Sequence, residues 1–159
     1  MSAASDNQTF MVHVVSQEGL IYEGKATDVI LKGSEGELGL KPGHSQLLTQ
    51  VAPGPIRILG AEKPSVADAK DVVVGEDNER LLYISGGILE VQPDCVSILA
   101  DTVERPEDVN EQAALDAKNK AEELLAQKGD IDYQKTQRDL AEAMAKLQVL
   151  ELMRAKKKR

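Results

Sequence analysis

The chain of 159 residues has no tryptophan, one phenylalanine and three tyrosines. It therefore lacks the aromatic platform on which bases would stack. It also lacks a basic surface: 19 basic against 27 acidic residues give a formal charge of −8. A nucleic-acid partner is disfavoured, because its phosphates would find few cations. The single cysteine, Cys95, excludes an internal disulfide and fits a reducing compartment. No apolar run approaches the ~18 residues of a membrane span. The polar stretch Met1 to Thr9 has neither the basic start nor the apolar core of a secretory leader. A soluble, cytoplasmic protein without membrane insertion is expected. Catalytic chemistry is equally sparse. His13 and His44 are far apart with no metal-ligand spacing around either. No Gly-x-Ser-x-Gly occurs, and Cys95 has no base near it in the sequence. Acidic pairs such as Glu35 and Glu37 do not by themselves specify acid–base work. Neither an enzyme nor a metal or cofactor site is expected.

What the chain does contain divides it in two. All six prolines lie at or before Pro106, and of twelve glycines only Gly129 comes later. Residues 1–105 carry 8 basic and 16 acidic groups, whereas residues 106–159 carry 11 of each. The first part shows period-two alternation, as at Leu89 and Val91 or Val96 and Ile98. Further strand-like runs are Phe10 to Val15, Ala26 to Leu31, Pro55 to Leu59 and Arg80 to Ser85, each bounded by turn residues. Strands without helices bury a face only against another sheet, so a sandwich or flattened barrel follows. Between Ala61 and Glu79 runs a long polar connection containing the fragment Val72 to Val74. It reads as a tolerated surface insertion.

The second part is rich in helix formers and reads as a hairpin. Asn110 is placed to cap the first helix, Gly129 to end it and Asp132 to cap the second. The two helices carry charges of about −4 and +4, which favours an antiparallel pair. The first has a shallow stripe of Ala114, Ala117, Ala121, Leu124 and Leu125. On the second, Leu140, Ala143, Met144, Leu147 and Leu150 follow three-four spacing, while Val149, Leu152 and Met153 fall on other faces. A helix end that is apolar all round needs more burial than one partner helix offers. This implies a weakly docked hairpin whose last turns have a second place to bind; the alternative is a frayed end with a solvated basic tail.

The glycines Gly33, Gly36, Gly39 and Gly43 lack the Gly-Lys-Ser/Thr ending of a phosphate loop. The stretch Gly33-Ser34-Glu35-Gly36-Glu37-Leu38-Gly39-Leu40-Lys41-Pro42-Gly43-His44 instead closely resembles a signature of the ε subunits of F-type ATP synthases. Blocks at Tyr83 to Pro93, at Val96 to Thr102 and at Gly129 to Tyr133 match the same family in the same order. The resemblance implies an α+β chain: an N-terminal antiparallel β-sandwich of about ten strands, residues 1–105, followed by a C-terminal two-helix antiparallel hairpin, residues 106–159. It implies a non-catalytic rotor subunit of a proton-translocating synthase, peripheral on the cytoplasmic face of the bacterial inner membrane. In that family the sandwich clamps onto the γ subunit and rests on the c-ring, for which Glu37, Gly39 and His44 are the corresponding contacts. The hairpin, when extended among the catalytic α and β subunits, inhibits ATP hydrolysis. Arg138, Lys146, Arg154 and Lys156 would then supply charge, and Met144, Leu147, Leu150 and Met153 burial. One departure concerns nucleotide: where ATP-binding members carry Ile/Leu-Asp-x-x-Arg-Ala, this chain has Asn110 for the acid and Ala113 for the arginine. Weak or absent ATP binding is expected. A free-standing adaptor with a coiled-coil arm is the other reading, against which the alanine stripe argues.

Overall fold

The computed structural model describes residues 8–61, 72–74, 78–127, 129 and 131–157. Among these residues, eleven strands form one hydrogen-bonded sheet that folds over on itself. They are β1 Phe10–Ser16, β2 Gly19–Ala26, β3 Asp28–Gly33, β4 Gly36–Leu40, β5 Leu47–Val51, β6 Gly54–Leu59, β7 Val72–Val74, β8 Glu79–Ile84, β9 Gly87–Gln92, β10 Cys95–Ala100 and β11 Val103–Glu104. The order is β11-β8-β6-β3-β5-β9-β10-β1-β2, with β4 on β3 and β7 on β8. Pairings are antiparallel except that between β1 and β10, which is parallel. The two layers join where Gly33 of β3 meets Val51 of β5. Alternation places Phe10, Val12 and Val14 inside against Leu89, Val91, Val96 and Ile98, with Ile56, Ile58, Leu82 and Ile84 opposite.

The run Ala26 to Leu31 is two strands rather than one. Ala26 closes β2, and Thr27 turns the chain by donating its hydroxyl to Asp28 and to the Leu59 carbonyl. β2, β4, β5 and β11 were not expected individually. β4 is hidden in the sequence because Gly36 and Gly39 imitate a turn while pairing with Gly33 and Ile30. Of the long connection after Ala61, residues 62–71 and 75–77 lie outside the described residues. The fragment Val72 to Val74 does pair, with Leu81, Arg80 and Glu79.

A 3-10 turn at Pro106–Asp108 leads into α1, Glu111–Ala126, and α2, Tyr133–Lys157. Asn110 caps α1 by accepting from the Ala113 amide at 3.0 Å, and Asp132 caps α2 by accepting from Lys135 at 3.1 Å. The first helix stops before Gly129: Gln127 is already extended, its N–H bonded to the Glu123 and Leu124 carbonyls. The α1 stripe faces α2 as expected, whereas burial on α2 extends beyond its expected stripe. Ala114, Ala117 and Ala121 of α1 line the space between the helices with Thr136 and Ala143 of α2, Ala114 and Ala121 being buried and Ala117 exposed. On α2 the deeply buried residues are Ala143, Ala145, Val149 and Leu150. Val149 and Leu150 join Leu81, Tyr83 and Val109 in a second core, with Leu152 and Met153 packed on it. The apolar end of α2 thus finds its second face on this chain's own sheet. Burying a Val or Leu side chain contributes about 1.5–3 kcal/mol, far more than an alanine methyl. Docking therefore depends on the end of α2 more than on α1.

Candidate partner-binding surfaces

β8 explains how to read the outside of the sandwich. Its run Leu81-Leu82-Tyr83-Ile84 is buried at both parities. Leu82 and Ile84 point into the sandwich core, while Leu81 and Tyr83 point outward and are covered by α2. An apolar run without alternation thus marks a strand covered on both faces. The same signature recurs at Val14-Val15, Leu20-Ile21, Ile88-Leu89 and Ile98-Leu99. There the inner residue is buried, while the outer one is exposed at Leu20, Ile88 and Leu99 and half-buried at Val15. Ile88 pairs with Leu99, Leu99 with Val15, and Val15 with Leu20, forming one apolar row across β9, β10, β1 and β2. Leu20, Ile88 and Leu99 are between 41% and 49% exposed, and Leu48 on neighbouring β5 is 72% exposed. Sequence reasoning missed this row, although the doubled apolar pairs were its signal.

Beside the row lies a polar group. His13 faces Glu23 across the strand pair, with Nε2 and Oε1 3.4 Å apart, and His13 Nδ1 lies 3.4 Å from the Cys95 Sγ. Register thus gives Cys95 a basic neighbour that sequence distance concealed. Among the described residues no group of His, Cys, Asp or Glu is arranged to hold a metal ion.

Glu37, Gly39 and His44 do not share one turn. Glu37 and Gly39 lie on β4, which among the described residues is an edge strand paired to β3 alone, opposite Lys32 and Ile30. His44 follows the turn beyond the far end of β4, about 10 Å of extended strand away from Glu37. That turn is tied to the β9–β10 hairpin by the Gly43 amide donating to the Pro93 carbonyl at 2.8 Å. Gly43 adopts a φ of 84°, which favours glycine there. Glu37 is exposed and borders a hollow of about 290 Å³ shared with Lys32, Arg57, Gln148 and Leu152.

The hairpin cations mostly have partners on this chain. Arg154 makes a two-pronged contact to Glu111, at 3.0 and 2.6 Å, joining the end of α2 to the start of α1. This contact holds the Glu111 carboxyl below the usual range. Lys146 reaches Glu104 at 3.7 Å and lies 5.5 Å from the centre of the Tyr83 ring. Burial, with help from Glu142 and Glu104, pushes the Tyr83 hydroxyl upward, so it stays neutral. Lys156 pairs with Glu79. Arg138 is exposed and borders a hollow with Asp101 and Glu142 next to Ser85, Gly86 and Gly87. Burial and then Asp139 raise the Glu142 carboxyl. Of the apolar candidates, Met144 is exposed and Leu147 half-buried, whereas Leu150 and Met153 pack into or onto the second core.

A β-sandwich with an uncovered apolar row and a docked, cation-rich hairpin defines an assembly subunit. The comparisons give its kind. Residues 9–106 match the β-sandwich domain of the ATP synthase delta/epsilon chain, and residues 107–151 match its long α-helix domain. The chain is 44% identical over 152 residues to the ATP synthase epsilon chain of Halorhodospira halophila, covering 95% of this chain and 99% of that one. It is 41% identical to ATP synthase epsilon chain 2 of Photobacterium profundum over the whole of both chains. It shares its fold with a chain of the Euglena gracilis mitochondrial ATP synthase OSCP/F1/c-ring structure, at a TM-score of 0.60 and 17% identity, covering 92% of this chain and 80% of that one. A chain of the Tetrahymena thermophila mitochondrial ATP synthase central stalk and c-ring gives 0.58 and 13%, covering 90% and 97%. The chain belongs to the ATP synthase epsilon chain family. It is a non-catalytic subunit of that complex. No described helix is long and apolar enough to cross a membrane.

Proposed function

We propose that residues 1–105 hold this subunit in the central stalk and that residues 106–159 regulate ATP hydrolysis. The uncovered apolar row of Ile88, Leu99, Val15 and Leu20 supports the holding role. It carries the signature that β8 satisfies under α2, and a γ subunit would satisfy it here. The edge strand bearing Glu37 and Gly39, with the turn at His44, would face the c-ring. The subunit thereby couples the catalytic head to a proton-translocating ring at the cytoplasmic face of the membrane. Regulation follows from the docking chemistry. The interface between the helices is built on alanines, and the cations Lys146, Arg154 and Lys156 are paired with acids of this chain. The α and β subunits would offer alternative partners to these cations, to Arg138, and to Met144, Leu147, Leu150 and Met153. Two states a few kcal/mol apart are interchanged by modest differential contacts.

The test is ATP hydrolysis by the catalytic head rebuilt with the full chain or with a chain ending at Arg105. Both forms are expected to copurify with γ, and truncation is expected to raise the rate severalfold. Equal rates would remove the regulatory role, and failure of both to bind γ would overturn the stalk role.

The docked hairpin should not hold nucleotide. The hollow between its helices, about 390 Å³, is walled by Glu104, Asp108, Asp139 and Glu142 against Lys120 and Lys146. Lys146 is already engaged by Glu104, and the Asn110 side chain is used as a cap. Phosphates would thus meet more acids than cations. Calorimetric titration of the isolated chain with ATP is expected to show no saturable binding in the low micromolar range; saturation there would overturn the proposal.

A further inference from the structure

Glu79, the first residue of β8, is 2% exposed, and two cations converge on it from different parts of the chain. Its Oε1 accepts from Arg57 Nε of β6 at 2.6 Å, while its Oε2 pairs with Lys156 Nζ from the last turn of α2. Lys156 is itself largely buried, with 17% of its side chain exposed. The remaining hairpin contacts differ in kind. Arg154 and Glu111 belong to the two helices, so their pair travels with the hairpin. Lys146 and Glu104 join α2 to β11, but both are about one-third exposed and 3.7 Å apart. Among the described residues, Lys156 to Glu79 is thus the buried ionic tie between hairpin and sandwich.

We propose that Glu79 is a catch that retains the end of α2 on the sandwich, and that Lys156 is the part that releases. The functional meaning rests on the reading that the hairpin leaves the sandwich to regulate. The division of labour between the two oxygens makes the catch reversible. Arg57 lies on the same sheet and stays with Oε1 whether or not α2 is docked. When Lys156 departs, Glu79 retains a cation and the sandwich is not left with an orphaned buried carboxylate, the situation that makes breaking such pairs severe. Lys156 regains water at the end of a helix.

The test is amide hydrogen exchange, read by mass spectrometry on the full chain. Lys156→Met keeps the Arg57 pair and is expected to speed exchange over residues 149–156 about tenfold, with β6 and β8 unchanged. Glu79→Gln also weakens the Arg57 pair, but on α2 it removes the same contact as Lys156→Met, so in that segment the double variant is expected to exceed neither single change. Lys156→Arg is expected to restore protection. Exchange at the parent rate in Lys156→Met would overturn the catch, as would effects that multiply in the double variant. Should Glu79→Gln not fold, the two Lys156 variants decide alone. The readout is the free chain, so failure here is distinct from failure of the regulatory reading, which is decided by hydrolysis in the rebuilt head.

Discussion

Alanine at position 87 is expected to prevent the sandwich from folding. Gly87 opens β9 at a φ of 149°, opposite Ala100. A Cβ built there would meet the Leu99 carbonyl oxygen at 2.1 Å and the Ala100 Cα at 2.9 Å. Both obstacles are backbone of the adjacent strand, so neither can swing away. Relief requires prising β9 from β10, and β10 is the strand that links β9 to β1. The cost therefore falls on the centre of one layer and combines a strained φ with lost pairing, about 4 kcal/mol or more. That is a large part of the stability of a domain this size. The expected result is loss of soluble protein or of a cooperative melt followed by circular dichroism. Gly39→Ala is the control: a Cβ there meets nothing within 4 Å, and a change within about 1 kcal/mol is expected. If Gly87→Ala melts like the parent, the close approach of β9 and β10 is not as described.

This glycine shows what was legible in the sequence and what was not. The block Ser85-Gly86-Gly87 was readable as a family motif, but its cause is a strand register that places the Leu99 carbonyl against Gly87, information spread over residues far apart in the chain. Local signals were read well. Alternation marks β9 and β10, the strand-like run from Phe10 marks β1, and Asn110 and Asp132 cap the helices as their positions require. The errors came wherever tertiary context decided. Glycines at 36 and 39 looked like turn residues and are an edge strand. Glu37 and His44, grouped as contacts by the family resemblance, are separated by that strand. Val149 looked like a residue on the wrong face of α2, because the stripe was judged against one neighbour. The helix has two neighbours, so its buried arc is wider than an ordinary amphipathic stripe. The row of Leu20, Ile88 and Leu99 is hidden for the converse reason: alternation locates the buried face and is silent on what apolar residues of the other face require.

Aspartate at Val149 is expected to free the hairpin while leaving the sandwich folded. Val149 is fully buried and packs with Leu81, Tyr83, Val109, Ala145 and Leu150. Burying a carboxylate among these apolar side chains strips it of water and is strongly unfavourable. The sandwich escapes this cost by letting α2 go, because its own core is a separate cluster of residues. Undocking exposes Leu81 and Tyr83 but breaks no strand pairing. Two measurements distinguish release from unfolding. Strand amides of β1, β9 and β10 are expected to retain their slow exchange, while α2 exchanges at least a hundredfold faster. Limited proteolysis is expected to cut near Arg105, leaving a resistant N-terminal piece. In the rebuilt catalytic head the same variant is expected to inhibit hydrolysis more strongly than the parent when only docking is lost, since the released hairpin is then free to seat elsewhere. Loss of strand protection together with that of α2 would show instead that the two cores fold as one unit, and the hairpin could not act as an independent arm.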